Sequence, residues 1–236
     1  MALTYRDHKF RDFPNGPNTY LWWCDFDTEE DEARFTKTAL SSGTGVMTVD
    51  ENFGVYRQSG AATTDDSGSQ LQGDMEHCSL NASKRLSFVC RGAKCSDGTQ
   101  DEFMCGLCIT DTTLLDATGT LAAGLTFTDG IGFYKPDGEA NVYGFIRRDS
   151  VQLATGAYAI TSTSHNVFSF EVAMGAVAGT GTVTFFVNGI RIGSLDSTTI
   201  PYDSEEILTP SLAFNTGNAT GTKTCDWDCV GVEIER

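Results

Sequence analysis

Cysteine offers the first chemistry to consider in this sequence, because four of its eight cysteines, Cys90, Cys95, Cys105 and Cys108, fall in one short stretch. Four thiolates can close a tetrahedral structural zinc site. Such a site needs its Cys-x-x-Cys pair on a tight turn, whereas FMCGLCITD reads as a strand whose alternation sends Cys105 to one face and Cys108 to the other. Small buried thiols are the simpler account. Cys90 and Cys105 are a candidate disulfide: a hairpin folded about residues 95 to 100 sets them opposite each other, and a bridge forms if their Cα atoms lie within ~7 Å and the environment is oxidising. Cys225 and Cys229 fall on one face of a straight strand, flanking Trp227 and roughly 13 Å apart by rise. Core packing is expected for both.

Carboxylates offer the second chemistry. Sandwich-type endoglucanases carry an alternating Glu-x-Asp-x-Glu run whose outer pair act as nucleophile and acid. No such run occurs here, and Glu171 in FSFEVAM has no acidic neighbour two positions away. Asp226 and Asp228 share a strand face and are read as solvated residues of an edge strand, ahead of calcium ligation or catalysis. The acidic run from Asp25 to Glu32 lacks the glycine that lets a calcium loop turn sharply. His8, His77 and His165 are scattered, and neither a Gly-x-Ser-x-Gly elbow nor a phosphate-binding glycine loop is present. The expectation is a protein that is not an enzyme and needs no cofactor, calcium being the one ion its acids could take. Of the adjacent Trp22 and Trp23, one at least belongs in the core, since neighbours on a strand point to opposite faces.

The elements that must position these residues are strands. Segments rich in Val, Ile, Phe, Thr and Tyr alternate with Gly, Asp, Asn and Ser clusters, the spacing of a sandwich or barrel. The clearest is TVTFFVNGIRIGSL, where Asn188-Gly189 supplies the two positive-φ positions of a type I′ turn between strands 182–187 and 190–195. Parity puts Leu86, Phe88 and Cys90 on one buried face, and Phe103, Cys105, Leu107 and Ile109 on another. Further strands are expected at 45–49, 53–58, 130–134, 140–147, 166–174, 211–214 and 222–235. One short helix is entertained over TEEDEARFTKTA, capped by Thr28 and favoured by acids at its N-terminal end. Residues 1–20, with Pro14 and Pro17 around Asn15-Gly16, read as an extended arm, and 21–236 as one β-sandwich domain.

Charge narrows the partners. A formal charge of -16, with 32 acidic against 16 basic residues, repels phosphate backbones and anionic lipid, so neither nucleic acid nor membrane is an expected partner. The basic residues Arg6, Lys9 and Arg11 gather in the arm, a cationic handle for an acidic partner. No apolar run approaches the ~20 residues of a spanning helix, and the start MALTYRDHKF has no apolar centre of a secretory signal, which implies synthesis in the cytoplasm.

The run from ENFGVYRQSGAATTDDSGSQLQ through EFMCGLCITDTTLL, TFTDGIGFYKPDGEANVYGF and TVTFFVNGIRIG to CDWDCVGVEIER resembles phage-encoded, concanavalin-A-like virion structural proteins. The shared motifs are Gly-Leu-x-Ile-Thr-Asp-Thr at 106–112, Asp-Gly-Ile-Gly-Phe at 129–133 and the closing strand at 228–236. The resemblance implies an all-β, antiparallel sandwich of jelly-roll, concanavalin-A-like kind. It further implies a capsid decoration, or cement, protein on the outer surface of the virion. The partner would be the major capsid protein, with the chain repeated as a homo-oligomer on the lattice. The rival expectation is a carbohydrate-binding, lectin-like module presenting Tyr134, Tyr143 and Tyr158 to a sugar; a sandwich-type glycoside hydrolase ranks last.

Overall fold

Alternating apolar and polar residues favour strands, and among the described residues the chain is strand, turn and loop with no helix. The computed structural model describes residues 19–27, 33–41, 43–50, 53–61, 64–74, 78–97, 99–116, 119–161, 164–201, 207–217 and 221–235. In chain order the strands are β1 (Thr19–Cys24), β2 (Phe35–Leu40), β3 (Thr44–Asp50), β4 (Phe53–Gly60), β5 (Gly68–Gly73), β6 (Arg85–Cys95), β7 (Asp101–Cys108) and β8 (Gly130–Lys135). There follow β9 (Asn141–Arg148), β10 (Val151–Ala159), β11 (Asn166–Met174), β12 (Gly181–Val187), β13 (Ile190–Ser197), β14 (Thr209–Thr216), β15 (Lys223–Trp227) and β16 (Cys229–Glu235).

They form two antiparallel sheets packed face to face. One has seven strands in the order β10-β9-β8-β7-β14-β5-β2. The other has nine, in the order β13-β12-β11-β6-β15-β4-β3, with β16 and then β1 beside the remaining length of β6. Between them lies the core, where Phe103, Cys105, Leu107, Phe133 and Phe214 meet Phe88, Cys90, Phe168, Phe170, Phe185 and Trp227. Phe88 stacks on Phe170 at 4.9 Å, and Phe133 contacts Phe168 at 5.1 Å and Phe185 at 5.5 Å. The indole N–H of Trp227 donates to Gln58 Oε1 at 2.8 Å, so the largest core side chain has its polar group satisfied. This is the jelly-roll, concanavalin-A-like sandwich expected from the sequence.

Asn188 and Gly189 have φ of 53° and 78°, as the type I′ turn requires, and they join β12 to β13 in the expected hairpin. Other expectations need correction. Ala33 and Arg34 form a turn and Phe35–Leu40 is strand β2, not helix, because it completes the sheet beside β5. The proposed helix start, Thr28 to Glu32, lies outside the described residues. The arm's first eighteen residues also lie outside them, while Thr19 and Tyr20 already belong to β1. Finally, β6 and β7 are not a hairpin. They sit in different sheets, the connection crossing from one to the other. Alternation fixes which face of each strand is buried and leaves the hydrogen-bonded neighbour open.

Two parity resets shape the nine-stranded sheet. At Gly92, with φ of 81°, the β11 register skips from Arg91 to Ala93. This bulge turns Ala93 and Cys95 inward, after Leu86, Phe88 and Cys90. At Asp228 the chain leaves β15 before entering β16, and the inward set changes from Cys225 and Trp227 to Val230, Val232 and Ile234. Cys225 and Cys229 therefore face opposite ways, correcting the straight-strand reading.

Candidate functional site

The outer face of the seven-stranded sheet is the surface on which this chain has built most. Alternation presents Gln70 and Gln72 from β5 there, Ser211, Ala213 and Asn215 from β14, and Glu102, Met104 and Cys108 from β7. Tyr134 on β8 and Tyr143, Phe145 and Arg147 on β9 complete the face. Most of it is covered. The connection from β7 to β8, described at 109–116 and 119–129, folds back over it. Its Leu114, Leu115, Leu125 and Phe127 form a second apolar cluster with Met104, Cys108, Tyr134, Phe145 and Ala213.

An irregular segment laid on a sheet brings unpaired backbone groups that need partners. The sheet supplies them through long polar side chains. Gln70 donates through Nε2 to the Asp111 carbonyl at 2.7 Å and accepts the Leu114 N–H at 2.9 Å. Gln72 donates to the Ile109 carbonyl at 3.2 Å and accepts the Asp111 N–H at 3.0 Å. Arg147 donates to the Phe127 carbonyl and lies over its ring, and Gln152 on β10 donates to the Leu121 carbonyl at 2.6 Å. The segment is thereby fixed along its length from β5 to β10. Gly124 permits the closest approach: a Cβ there would fall 1.7 Å from the Tyr134 hydroxyl oxygen.

At one end of the sealed layer is a cluster of acidic side chains. The Tyr134 hydroxyl donates to Glu102 Oε1, and Glu102 is 1% exposed. Burial, with the negative charge of Asp66 and Asp137 adding to it, pushes Glu102 up to about 8. Asp66 rises to about 6 from burial and the neighbouring Asp65, Asp137 and Asp116. Two carboxyls tuned apart are the raw material of acid and base catalysis. Here the more perturbed one lies beneath Tyr134, and both side chains are buried. Among the described residues no group of three or more His, Cys, Asp or Glu side chains is arranged to hold a metal ion.

The residues singled out from sequence fare differently. Arg6, Lys9 and Arg11 lie outside the described residues, as do His8 and His77. Cys90 and Cys105 are brought together across the core, side chain to side chain, both fully buried. Cys105 joins the inter-sheet core and Cys108 the sealed outer layer, on opposite faces as parity requires. Trp22 is core at 5% exposure and Trp23 half-buried. The tyrosines make no platform: Tyr134 is sealed, Tyr143 is half-buried with its hydroxyl on Glu139 at 2.7 Å, and Tyr158 packs from the opposite face against the core. Asp226 is no solvated edge residue either. Strand β15 lies between β6 and β4, and Asp226 receives both Arg57 Nε at 2.6 Å and Nη2 at 2.8 Å. Asp228 pairs with Arg91 at 3.1 Å in the break between strands.

On the other sheet, Arg85, Ser87, Glu171, Thr182 and Thr184 line a shallow groove of about 240 Å³ across β6, β11 and β12. It falls below the ~300 Å³ at which small-molecule pockets begin, and no aromatic ring lines it. The Gln70 and Gln72 anchors were invisible to sequence reasoning because GSQLQG reads as a polar turn. Their one signal was the spacing of two glutamines on one strand face.

No family model matches the chain and no curated protein matches it. Solved structures do share its fold. An endo-1,3-β-glucanase from Streptomyces sioyaensis aligns over 94% of this chain and 98% of its own, with a TM-score of 0.60 and 10% identity. The CBM2 module of the evolved Dit of Lactobacillus casei BL23 phage J-1 aligns over 93% and 97%, at 0.58 and 12%. Peanut lectin aligns over 92% and 97%, at 0.54 and 13%. The chain is thus a lectin-like, jelly-roll β-sandwich, a fold that also occurs in phage proteins.

Proposed function

We propose that the protein is a non-catalytic bacteriophage virion protein that decorates the capsid exterior and stabilises it by non-covalent binding to the major capsid protein. The observation that carries this reading is the sealing of the seven-stranded sheet by residues 109–116 and 119–129, anchored by Gln70, Gln72, Arg147 and Gln152. A chain that fills its own sheet face with a fixed apolar layer gives up the open cleft that catalysis on a polymer requires. Binding then falls to edges, loops and the arm. The motifs at 106–112, 129–133 and 228–236 supply the virion assignment by resemblance, and a phage module of the same fold is consistent with it. The charge of -16 suits an outer surface away from packaged DNA. Arg6, Lys9 and Arg11 are the proposed fastening, and copies repeated on the lattice add buried area that stabilises the shell by linkage.

The test mixes full-length protein, and protein lacking residues 1–18, with undecorated capsids and counts bound copies by particle imaging. Saturable binding of the full chain with loss in the truncated one is expected. Unchanged occupancy removes the arm's role, and failure of the full chain to bind capsids overturns decoration itself.

A carbohydrate-binding module is the second reading, and the groove at Arg85, Ser87, Glu171, Thr182 and Thr184 is the observation that favours it. Hydrogen-bonding groups without a stacking ring predict weak binding at most. A glycan array run with calcium present that gives a hit lost in Glu171→Ala would establish this role.

A further inference from the structure

We propose that Cys95 and Cys225 form a disulfide that staples β15 to β6. The two are direct register partners across these antiparallel strands. Their Sγ atoms are 3.2 Å apart and buried. Directly paired residues in an antiparallel ladder have Cα atoms about 4.5 to 5.5 Å apart, inside the window of about 4.4 to 6.8 Å that a disulfide needs. Cys90 and Cys105 also touch, but they face each other from opposite sheets, and packed sheets are about 10 Å apart. The cross-strand pair therefore bridges with the smaller backbone movement.

The site is one where a staple matters. Only Cys225↔Cys95 and Asp226↔Lys94 join β15 to β6, before β16 takes over the rest of that strand. Around this short seam, the Ser96 N–H donates to the Thr224 carbonyl at 2.8 Å, the Thr224 N–H donates to Ser96 Oγ at 2.8 Å, and Lys223 pairs with Asp97 at 2.8 Å. These contacts hold the thiols in register. The two cysteines are 130 residues apart in sequence, so the bond closes a long loop and constrains the unfolded chain strongly.

The chemistry needs a small-molecule disulfide such as oxidised glutathione. One cysteine thiolate attacks a sulfur of the oxidant, forming a mixed disulfide and releasing one glutathione thiolate. The second cysteine thiolate then attacks the mixed sulfur, forming the Cys95–Cys225 bond and releasing the other; each leaving thiolate recovers a proton that a cysteine gave up. The protein loses two electrons and the oxidant gains them. Burial pushes the Cys225 thiol up, so the thiolate forms during folding or while the seam is transiently open, not in the closed sandwich.

The experiment refolds full-length protein with oxidised glutathione and, separately, incubates native protein with it. Expected are a mass decrease of about 2 Da, a non-reduced peptide map linking residue 95 to residue 225, and a melting temperature raised by roughly 5 to 10 °C and lowered again by dithiothreitol. Cys225→Ser should abolish the linked peptide and the gain, whereas Cys90→Ser should keep both. Should Cys225→Ser not fold, Cys95→Ala and the wild-type peptide map carry the same decision. Full alkylation of Cys95 and Cys225 after oxidative refolding overturns the proposal, as does a bond mapped to Cys90 and Cys105 in their place. The outcome is independent of capsid binding.

Discussion

The two sheets share a core and differ on their outer faces. In the seven-stranded sheet, β5, β7, β8 and β14 are buried at every position. In the nine-stranded sheet β6 and β16 are likewise buried at most positions, but β12, toward its edge, keeps a plain alternation, with Val183, Phe185 and Val187 inward and Thr182, Thr184 and Phe186 half-buried between them. Antiparallel sheets normally leave one face to water, as β12 does. The difference shows that a third layer need not be a helix or a sheet: an irregular segment suffices where the strands beneath carry glutamines and an arginine to satisfy its backbone.

The sharpest way to break this contrast is to empty the sealed layer. Phe127→Ala is expected to cost about 3 to 5 kcal/mol, as for other fully buried phenylalanines. Phe186→Ala on the half-covered face should cost about 1 kcal/mol. Equal costs in urea unfolding would mean that the layer contributes no core.

The next largest effect is on pH. Glu102 rises from 4.5 to about 8, so between these values the folded state holds a proton that the unfolded state has released. Its contribution is full below about pH 4.5 and is lost as pH rises toward 8, with a slope of up to about 1.4 kcal/mol per pH unit. Asp101, raised to about 7 by burial, adds in the same direction. Urea midpoints at pH 5 and pH 8 should differ accordingly in the wild type, and Glu102→Gln should lose the Glu102 share of that difference while keeping the Asp101 share. A variant with the wild-type slope would place the titration elsewhere.

Removing an anchor is smaller again. Gln70→Leu leaves the Asp111 carbonyl and the Leu114 N–H without their partners, a cost of about 1 to 3 kcal/mol. Amide exchange at Leu114 should accelerate well before exchange in β7; uniform change across both would mean that the segment and sheet open together. At the bottom of the scale, Thr184→Val on β12 should stay within about 0.5 kcal/mol of wild type. A larger loss there would erase the distinction between the faces.

Much of the fold was legible. Strand β11 has the bounds expected from alternation, and Asn188-Gly189 marked its hairpin unaided. Strands β5 and β10 were not legible, since GSQLQG looks like a turn and VQLATGAYA is an exposed edge with little apolar alternation. The sealed face was hidden because its segment is a polar, Gly- and Thr-containing loop in sequence. Its leucines gain meaning only when laid on Met104 and Phe145.

Sequence alone therefore determined the period-two alternation, an all-β sandwich or barrel, and the opposite faces of Cys105 and Cys108, all of which depend on neighbours within a few residues; the jelly-roll kind came from resemblance. Tertiary structure decided what alternation leaves open. It set β6 and β7 in different sheets, reset parity at Gly92 and Asp228, covered Gln70 and Gln72, and brought Cys95 to Cys225. Side-chain direction is a local property of the strand, whereas strand pairing and burial are settled by chain segments far away in sequence, as far as Thr19 from its partner Glu235.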